Sequence, residues 1–210
     1  MINPLRILAE TQLNQVKAQA LKCDKCPLQE TRTQVVFGVG NAYQPDIMFI
    51  GEAPGENEDL QGEPFVGAAG QLLDKLLSAL GIHRKEIFID NIVKCRPPNN
   101  RKPTAEEIAH CLPYLKEEIK IIKPKTIVCL GATAAQGLLG NKISVGKMRG
   151  KWMSHEGIPV RVTFHPAWLL RLGGEDLSKA KTMVWEDMQE VIKYLKERKA
   201  ANEKQSKQGT

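Results

Sequence analysis

Three polar residues and one aromatic stand where chemistry could be done: Glu52, Asn91, His165 and Phe65. Glu52 follows the apolar run 47–50, Asn91 lies near the end of the run 87–93, and His165-Pro166 follows the run 160–164. Short apolar runs of this kind suit buried parallel strands. In open parallel sheets, ligands bind outside the carboxyl ends of the strands. An acid, an amide and an imidazole at one sheet edge would therefore converge on one pocket with acid–base and hydrogen-bonding capacity. The stretch after the first run is unusual in itself: Glu52, Ala53, Pro54 and Gly55, then the acids Glu56, Glu58 and Asp59. Phe65 stands alone in a polar, glycine-rich loop and is expected to be unburied.

Five cysteines make a second constellation. Cys23 and Cys26 form a Cys-x2-Cys pair, Cys95 follows the second strand, and Cys111 lies on or beside the next helix. Four thiolates from two local pairs can close a sulfur cage around zinc or an iron–sulfur cluster, and spacing alone leaves both open. Cys129 sits among apolar residues in TIVCLGA and reads as a core thiol.

These groups need a scaffold, and the periodicity predicts one. Strands at 47–50, 87–93, 126–130 and 160–164 alternate with helices at 67–80, 104–122, 132–139 and 178–197. An opening helix spans 4–21, with Leu5, Leu8, Leu13, Val16 and Leu21 on one side. Thr104 and Glu107 have capping-box spacing. Alternating strands and helices imply an α/β fold with a parallel sheet covered on both faces. Residues 1–199 read as one domain and 200–210 as a disordered basic tail.

The chain has 210 residues, 42% of them apolar, and a formal charge of +6. No run approaches the roughly 20 apolar residues of a membrane span. The first residues lack an apolar signal core, so an intracellular protein with no membrane partner is expected. An odd cysteine count also argues against a disulfide framework. Residues 142–171 carry a net +5 and residues 94–102 hold four cations with no acid. These two segments are the better candidates for a phosphate-binding face.

GEAPGENED, EPFVGAAGQLLD, NIVKCRPPNNRKP and HPAWLLR, in that order, resemble family 4 uracil-DNA glycosylases. The resemblance spans roughly residues 23–194. It implies a three-layer α/β/α sandwich around a central, mainly parallel four-stranded sheet. It implies a [4Fe–4S] cluster on Cys23, Cys26, Cys95 and Cys111, so the resemblance, not the spacing, favours iron over zinc. It implies a DNA repair enzyme that flips uracil out of DNA and hydrolyses its N-glycosidic bond, leaving an abasic site. Phe65 would then stack on uracil, Asn91 would read its edge, His165 would lie near O2, and the backbone of Glu52, Ala53 and Pro54 would complete the pocket. Family 1 relatives carry an aspartate where this chain has Ala53, so the water-activating group must differ. Glu52 is the first choice and Glu58 the second. A related branch crosslinks to DNA through a histidine after the second strand; RPPNNRKP has none.

Uracil-containing DNA, single- or double-stranded, is the partner implied, with replication or repair proteins beyond it and a monomer expected. Leu169 or Leu170 would wedge into the gap left by the flipped nucleotide, and Arg171 would hold a phosphate. Two other functions fit some of the residues: a non-catalytic iron–sulfur domain that binds DNA, and a zinc-stabilised hydrolase of small nucleotides. The convergence of Phe65, Asn91 and His165 discriminates against the first, since a binding module needs no uracil pocket.

Overall fold

The computed structural model describes residues 3–140 and 144–208, with side chains to residue 204. In chain order the elements are α1 (Pro4–Leu21), β1 (Val39–Gly40), β2 (Ile47–Gly51), α2 (Glu56–Gln61), α3 (Ala68–Ala79), β3 (Phe88–Asn91), α4 (Ala105–Ile122), β4 (Thr126–Leu130), α5 (Ala132–Leu139), α6 (Val145–Met148), β5 (Trp152–His155), β6 (Ile158–Thr163), α7 (Pro166–Leu169) and α8 (Gly174–Gln208). The sheet order is β1-β3-β2-β4-β6-β5. The four strands expected from the sequence form its parallel centre, β3-β2-β4-β6. The sheet nevertheless has six strands rather than four, because β1 and β5 add antiparallel edges. Those edge strands are short or half-exposed, so they lack the continuous apolar run that marks a buried strand.

Side-chain alternation builds the two outer layers. Met48 and Ile50 of β2 face a core shared with α1, α4 and α5, while Ile47 and Phe49 face one shared with α3 and α8. The result is an α/β/α sandwich. The predicted capping box is present: the Glu107 N–H donates to Thr104 Oγ1 at 3.2 Å, and the Thr104 N–H donates to Glu107 Oε2 at 2.7 Å.

Two expectations need correction. On α1 the buried stripe is Ala9, Leu13, Val16 and Ala20, whereas Leu5, Leu8 and Leu21 are exposed. Two alanines in that stripe let the helix approach its neighbours closely, which a count of large apolar residues does not register. Helix α8 also runs past residue 199 to Gln208, where the composition predicts a disordered tail. Residues 193–208 are rich in Lys, Glu, Gln and Ala, all good helix formers, so a helix already nucleated on the core can propagate through them.

One buried carboxylate ties the C-terminal half together. Asp187 on α8 accepts from Gly150 N (3.1 Å), Arg161 Nη2 (3.3 Å), Arg149 Nε (3.1 Å) and Thr163 Oγ1 (2.8 Å). Removing it leaves two guanidinium groups and a hydroxyl without their shared acceptor. We expect Asp187→Ala to cost about 3–5 kcal/mol, read as a Tm fall of roughly 10 °C; a Tm within a degree or two of the parent would disprove the hub.

Candidate functional site

The parallel centre of the sheet brings the predicted polar groups to one edge. Gly51 stands opposite Asn91 in the β2–β3 register, and Glu52 follows at once. The main chain continues the ladder past the strands: Ile92 N donates to Gly51 O at 3.0 Å and Val93 N to Glu52 O at 3.1 Å. His165 follows β6, and its Nδ1 accepts from Ala167 N at 3.1 Å, capping α7. Gly131, after β4, has φ +92, and a Cβ there would come within 3.0 Å of the His165 Cβ. Only glycine serves both the conformation and the close approach.

The Phe65 ring stacks on the His165 imidazole at 5.7 Å, with 29° between planes. Phe65 is only 5% exposed, against the expectation of an unburied ring. Its backbone is left-handed, φ 56, which is strained for a residue with a side chain. Arg84 holds it there, donating to Phe65 O at 3.1 Å and to Pro64 O. Gly70 leaves room for the Phe65 carbonyl, which a Cβ would strike. The carboxylate of Glu58 completes the brace, accepting from Gly55 N (3.1 Å), Val66 N (3.0 Å) and Gly67 N (2.7 Å). Both oxygens of Glu58 are thus committed to the loop that carries Phe65. Pro54 is buried, and Ala53 is half-buried against the α1–α4–α5 core.

The pocket's electrostatics follow from burial. Asn91 is buried, and its Oδ1 has no hydrogen-bond partner among the described residues. An unpaired buried acceptor is costly unless a ligand satisfies it. Burial pushes the His165 pKa down to about 4; the Arg171 charge adds to this and the Glu58 carboxylate opposes it. Its imidazole is therefore neutral near pH 7. With Nδ1 accepting, the proton sits on Nε2, which is left as a donor.

Behind Asn91 lies a buried ionic cluster that sequence reasoning missed. Lys94 Nζ pairs with Asp90 Oδ2, stands 2.6 Å from Glu118 Oε2 and donates to Asn91 O at 3.2 Å. Asp90 Oδ1 in turn accepts from Asn91 N at 2.7 Å. Burial and the Asp90 charge raise Glu118 well above the ordinary carboxylate range, against the pull of Lys94. Lys94 thus stands between two buried acids, one from β3 and one from α4. Burial works against the Lys94 charge, but Asp90 and Glu118 more than compensate.

Cys23, Cys26, Cys95 and Cys111 all line one cavity, with Arg32, His110 and Tyr114. Arg32 Nη1 donates to Cys95 Sγ at 3.1 Å and its Nη2 to Cys23 O at 2.8 Å. Lys94 N donates to Cys111 Sγ at 3.2 Å. Among the described residues, no three His, Cys, Asp or Glu side chains gather tightly enough to hold a single metal ion. Cys129 lies elsewhere, fully buried in β4, where burial pushes its thiol up to about 12.

Several known proteins similar to this chain fall in one family. The family model described as the uracil DNA glycosylase superfamily matches residues 37–189. A Type-4 uracil-DNA glycosylase of Thermotoga maritima is 46% identical over 185 residues, 86% of this chain and 93% of that protein. Proteins of the same name from Archaeoglobus fulgidus and Pyrobaculum aerophilum are 44% and 48% identical, over 75% and 71% of this chain and 83% and 80% of their own lengths. This chain belongs to the uracil-DNA glycosylase superfamily.

Within this glycosylase fold the segment after His165 divides sharply. Leu169, one of the two expected wedges, is 3% exposed and packs on Ala180 and Val184. It cannot reach DNA without unpacking α8. Leu170, one residue on, is 52% exposed. Trp168 is 40% exposed and stacks on Phe164 at 4.4 Å. The basic segments also thin out. Lys94 and Arg161 are buried in the ionic clusters, Arg101 pairs with Glu107 at 2.7 Å, and Arg149 is on Asp187. Lys142 lies outside the described residues. Exposed cations remain at Lys102, Lys147, Lys151 and Arg171. No helix among the described residues is long and apolar enough to cross a membrane.

The lowered His165 pKa ties the stability of the fold to pH. In the unfolded chain an imidazole titrates near 6.5, and in the fold near 4. The unfolded state thus binds the proton more readily between these values, so this part of the stability is intact above about pH 6.5 and is lost as pH falls toward 4. A nitrogen-detected NMR titration should give His165 a midpoint near pH 4 with Nε2 protonated above it; an ordinary midpoint would contradict the burial.

Proposed function

We propose that this chain excises uracil from DNA, hydrolysing the bond between uracil N1 and the deoxyribose C1′ and leaving an abasic site. The observation that carries this reading is the unpaired, buried Asn91 Oδ1 at a pocket walled by Phe65 and His165. Uracil flipped from the stack offers N3–H to that oxygen, and its O4 can accept from the Asn91 amide nitrogen. A cytosine presents an acceptor at N3 and a donor at N4, opposite in both places, so the same amide arrangement rejects it.

As the glycosidic bond breaks, its electrons pass to the base and load negative charge onto O2. A neutral His165 donating from Nε2 stabilises that charge without itself giving up a proton. The sugar becomes oxocarbenium-like, and a nearby carboxylate both stabilises it and orients water toward C1′. Glu52 is our assignment for that carboxylate, since Glu58 is fully occupied in bracing the Phe65 loop. In this reading the backbone from Glu52 to Pro54 completes the pocket. Water adds its oxygen to C1′, and the proton it loses balances the charge of the departing base.

Cys23, Cys26, Cys95 and Cys111 fit a [4Fe–4S] cluster. They share one cavity without gathering around a point, whereas a single zinc needs thiolates about 3.8 Å apart, from a Zn–S length of about 2.3 Å. The donors from Arg32 and Lys94 to sulfur are of the kind that accompany cluster thiolates. When bound, the cluster supplies charge and a crosslink between the end of α1, the exit of β3 and α4. We read the chain through the end of α8 as a single glycosylase domain acting as a monomer inside the cell, with Leu170 as the wedge and Arg171 on a phosphate.

Two experiments test this reading. A uracil-containing oligonucleotide, treated with the purified protein and then alkali, should be cut at uracil. Glu52→Gln should slow single-turnover excision by about 100-fold or more with DNA binding nearly unchanged, and full activity in that variant would remove Glu52 from the chemistry. Second, Leu170→Ala should slow excision from duplex more than from single strands, because unstacking costs a few kcal/mol only in the duplex. Leu169→Ala should instead lower stability by about 2–5 kcal/mol. Equal losses on both substrates for Leu170→Ala would remove the wedge.

A further inference from the structure

Thr133 is the one side chain in the described structure that grips the Glu52 carboxylate. It is the second residue of α5, it is buried, and its Oγ1 donates to Glu52 Oε2. A threonine in the first turn of a helix ordinarily turns its oxygen toward the helix's own backbone. This one does not: α5 starts at Gly131 with no side-chain cap, and the Thr133 hydroxyl is spent on a residue 81 positions away.

The geometry gives that bond a purpose. Glu52 is held at its main chain by the exit of β3, through Val93 N. Its side chain still has three rotatable bonds, and a half-buried carboxylate left free would sample several positions. Thr133 removes that freedom at one oxygen and leaves Oε1 available. The same turn sets the other side of the site, because Gly131 admits His165 at 3.0 Å from where a Cβ would stand. The turn from Gly131 to Thr133 therefore spaces the imidazole from the carboxylate.

We propose that Thr133 is a positioning residue for catalysis: its hydroxyl orients the Glu52 carboxylate so that Oε1 holds the attacking water. This rests on the role given to Glu52 under the proposed function. A reaction that needs water on one face of C1′ gains from a carboxylate already aligned. Thr133 acts through the Glu52 carboxylate, so its loss should slow the chemical step and leave DNA affinity alone.

The test is single-turnover excision of uracil from a single-stranded oligonucleotide, with DNA affinity measured in parallel. The variants are Thr133→Val, Thr133→Ala, Thr133→Ser, Glu52→Gln and Thr133→Val combined with Glu52→Gln. Thr133→Val, which keeps the shape and loses the hydroxyl, should lower the rate by about 10-fold with unchanged DNA affinity. Thr133→Ala should do the same, covering the case in which the valine packs badly. Thr133→Ser should restore the rate to within about threefold of the parent. In the Glu52→Gln background, Thr133→Val should add little, because the two act as one unit. An impaired Glu52→Gln beside fully active Thr133→Val and Thr133→Ala would overturn this inference alone. So would a loss from Thr133→Val that persists undiminished in the Glu52→Gln background. A fully active Glu52→Gln would overturn the role of Glu52 and this inference with it.

Discussion

Between Gly51 and Asn91 there is no room for a Cβ. The two residues face each other across the parallel β2–β3 ladder, and a methyl group on Gly51 would collide with both the Asn91 amide oxygen and the Phe65 ring. The pocket depends on that tight approach. It brings the amide and the aromatic ring together at the end of the sheet, with Glu52 on the next residue. Parallel strands make this possible because they all end at the same edge, so residues far apart in sequence meet without any connecting loop crossing the site.

The pocket is held from behind by charge buried in pairs. An isolated charge inside a protein would be prohibitive, and a pair is tolerated only when its geometry and remaining hydrogen bonds are good. The Lys94–Asp90 pair meets that demand and uses both partners on Asn91: Asp90 takes its N–H, and Lys94 takes its carbonyl. The Lys94 backbone also donates to Cys111 Sγ. The cysteine cavity and the Asn91 amide are thus four residues apart in sequence and joined by one residue's hydrogen bonds. On the other side of the sheet, Asp187 does comparable work for β6, the Arg149 loop and α8.

Strain is confined to the loop that carries Phe65. A left-handed backbone at a phenylalanine persists only where its surroundings over-determine it. Here Arg84 pins two carbonyls, Glu58 collects three N–H groups, and Gly70 clears the path of the Phe65 carbonyl. The acids that follow Glu52 therefore differ in purpose although they look alike in sequence. Glu58 is architecture, and Glu52 is left half-buried at the sheet edge, its carboxylate accepting from the Thr133 hydroxyl.

Much of this was legible in the chain alone. Short, mostly apolar runs marked the four parallel strands, because a strand buried on both faces is rich in such residues; polar exceptions such as Asp90, Asn91, Arg161 and Thr163 are buried with partners or at the site. The capping box at Thr104 and Glu107 announced α4, because its two hydrogen bonds are local. The edge position of Glu52, Asn91 and His165 followed from where those runs stop. Tertiary structure decided what depends on a distant partner or on which way a side chain turns. Lys94 and Arg161 look like surface cations in sequence, yet each is buried because an acid from another element meets it. Leu169 and Leu170 are indistinguishable as letters; a step of about 100° around the helix axis sends the first into the core and the second to solvent. The partnership of Thr133 with Glu52 spans 81 residues and two strands of the sheet. Local pattern reports burial and periodicity, whereas these pairings exist only once the sheet order has placed β2 beside β4.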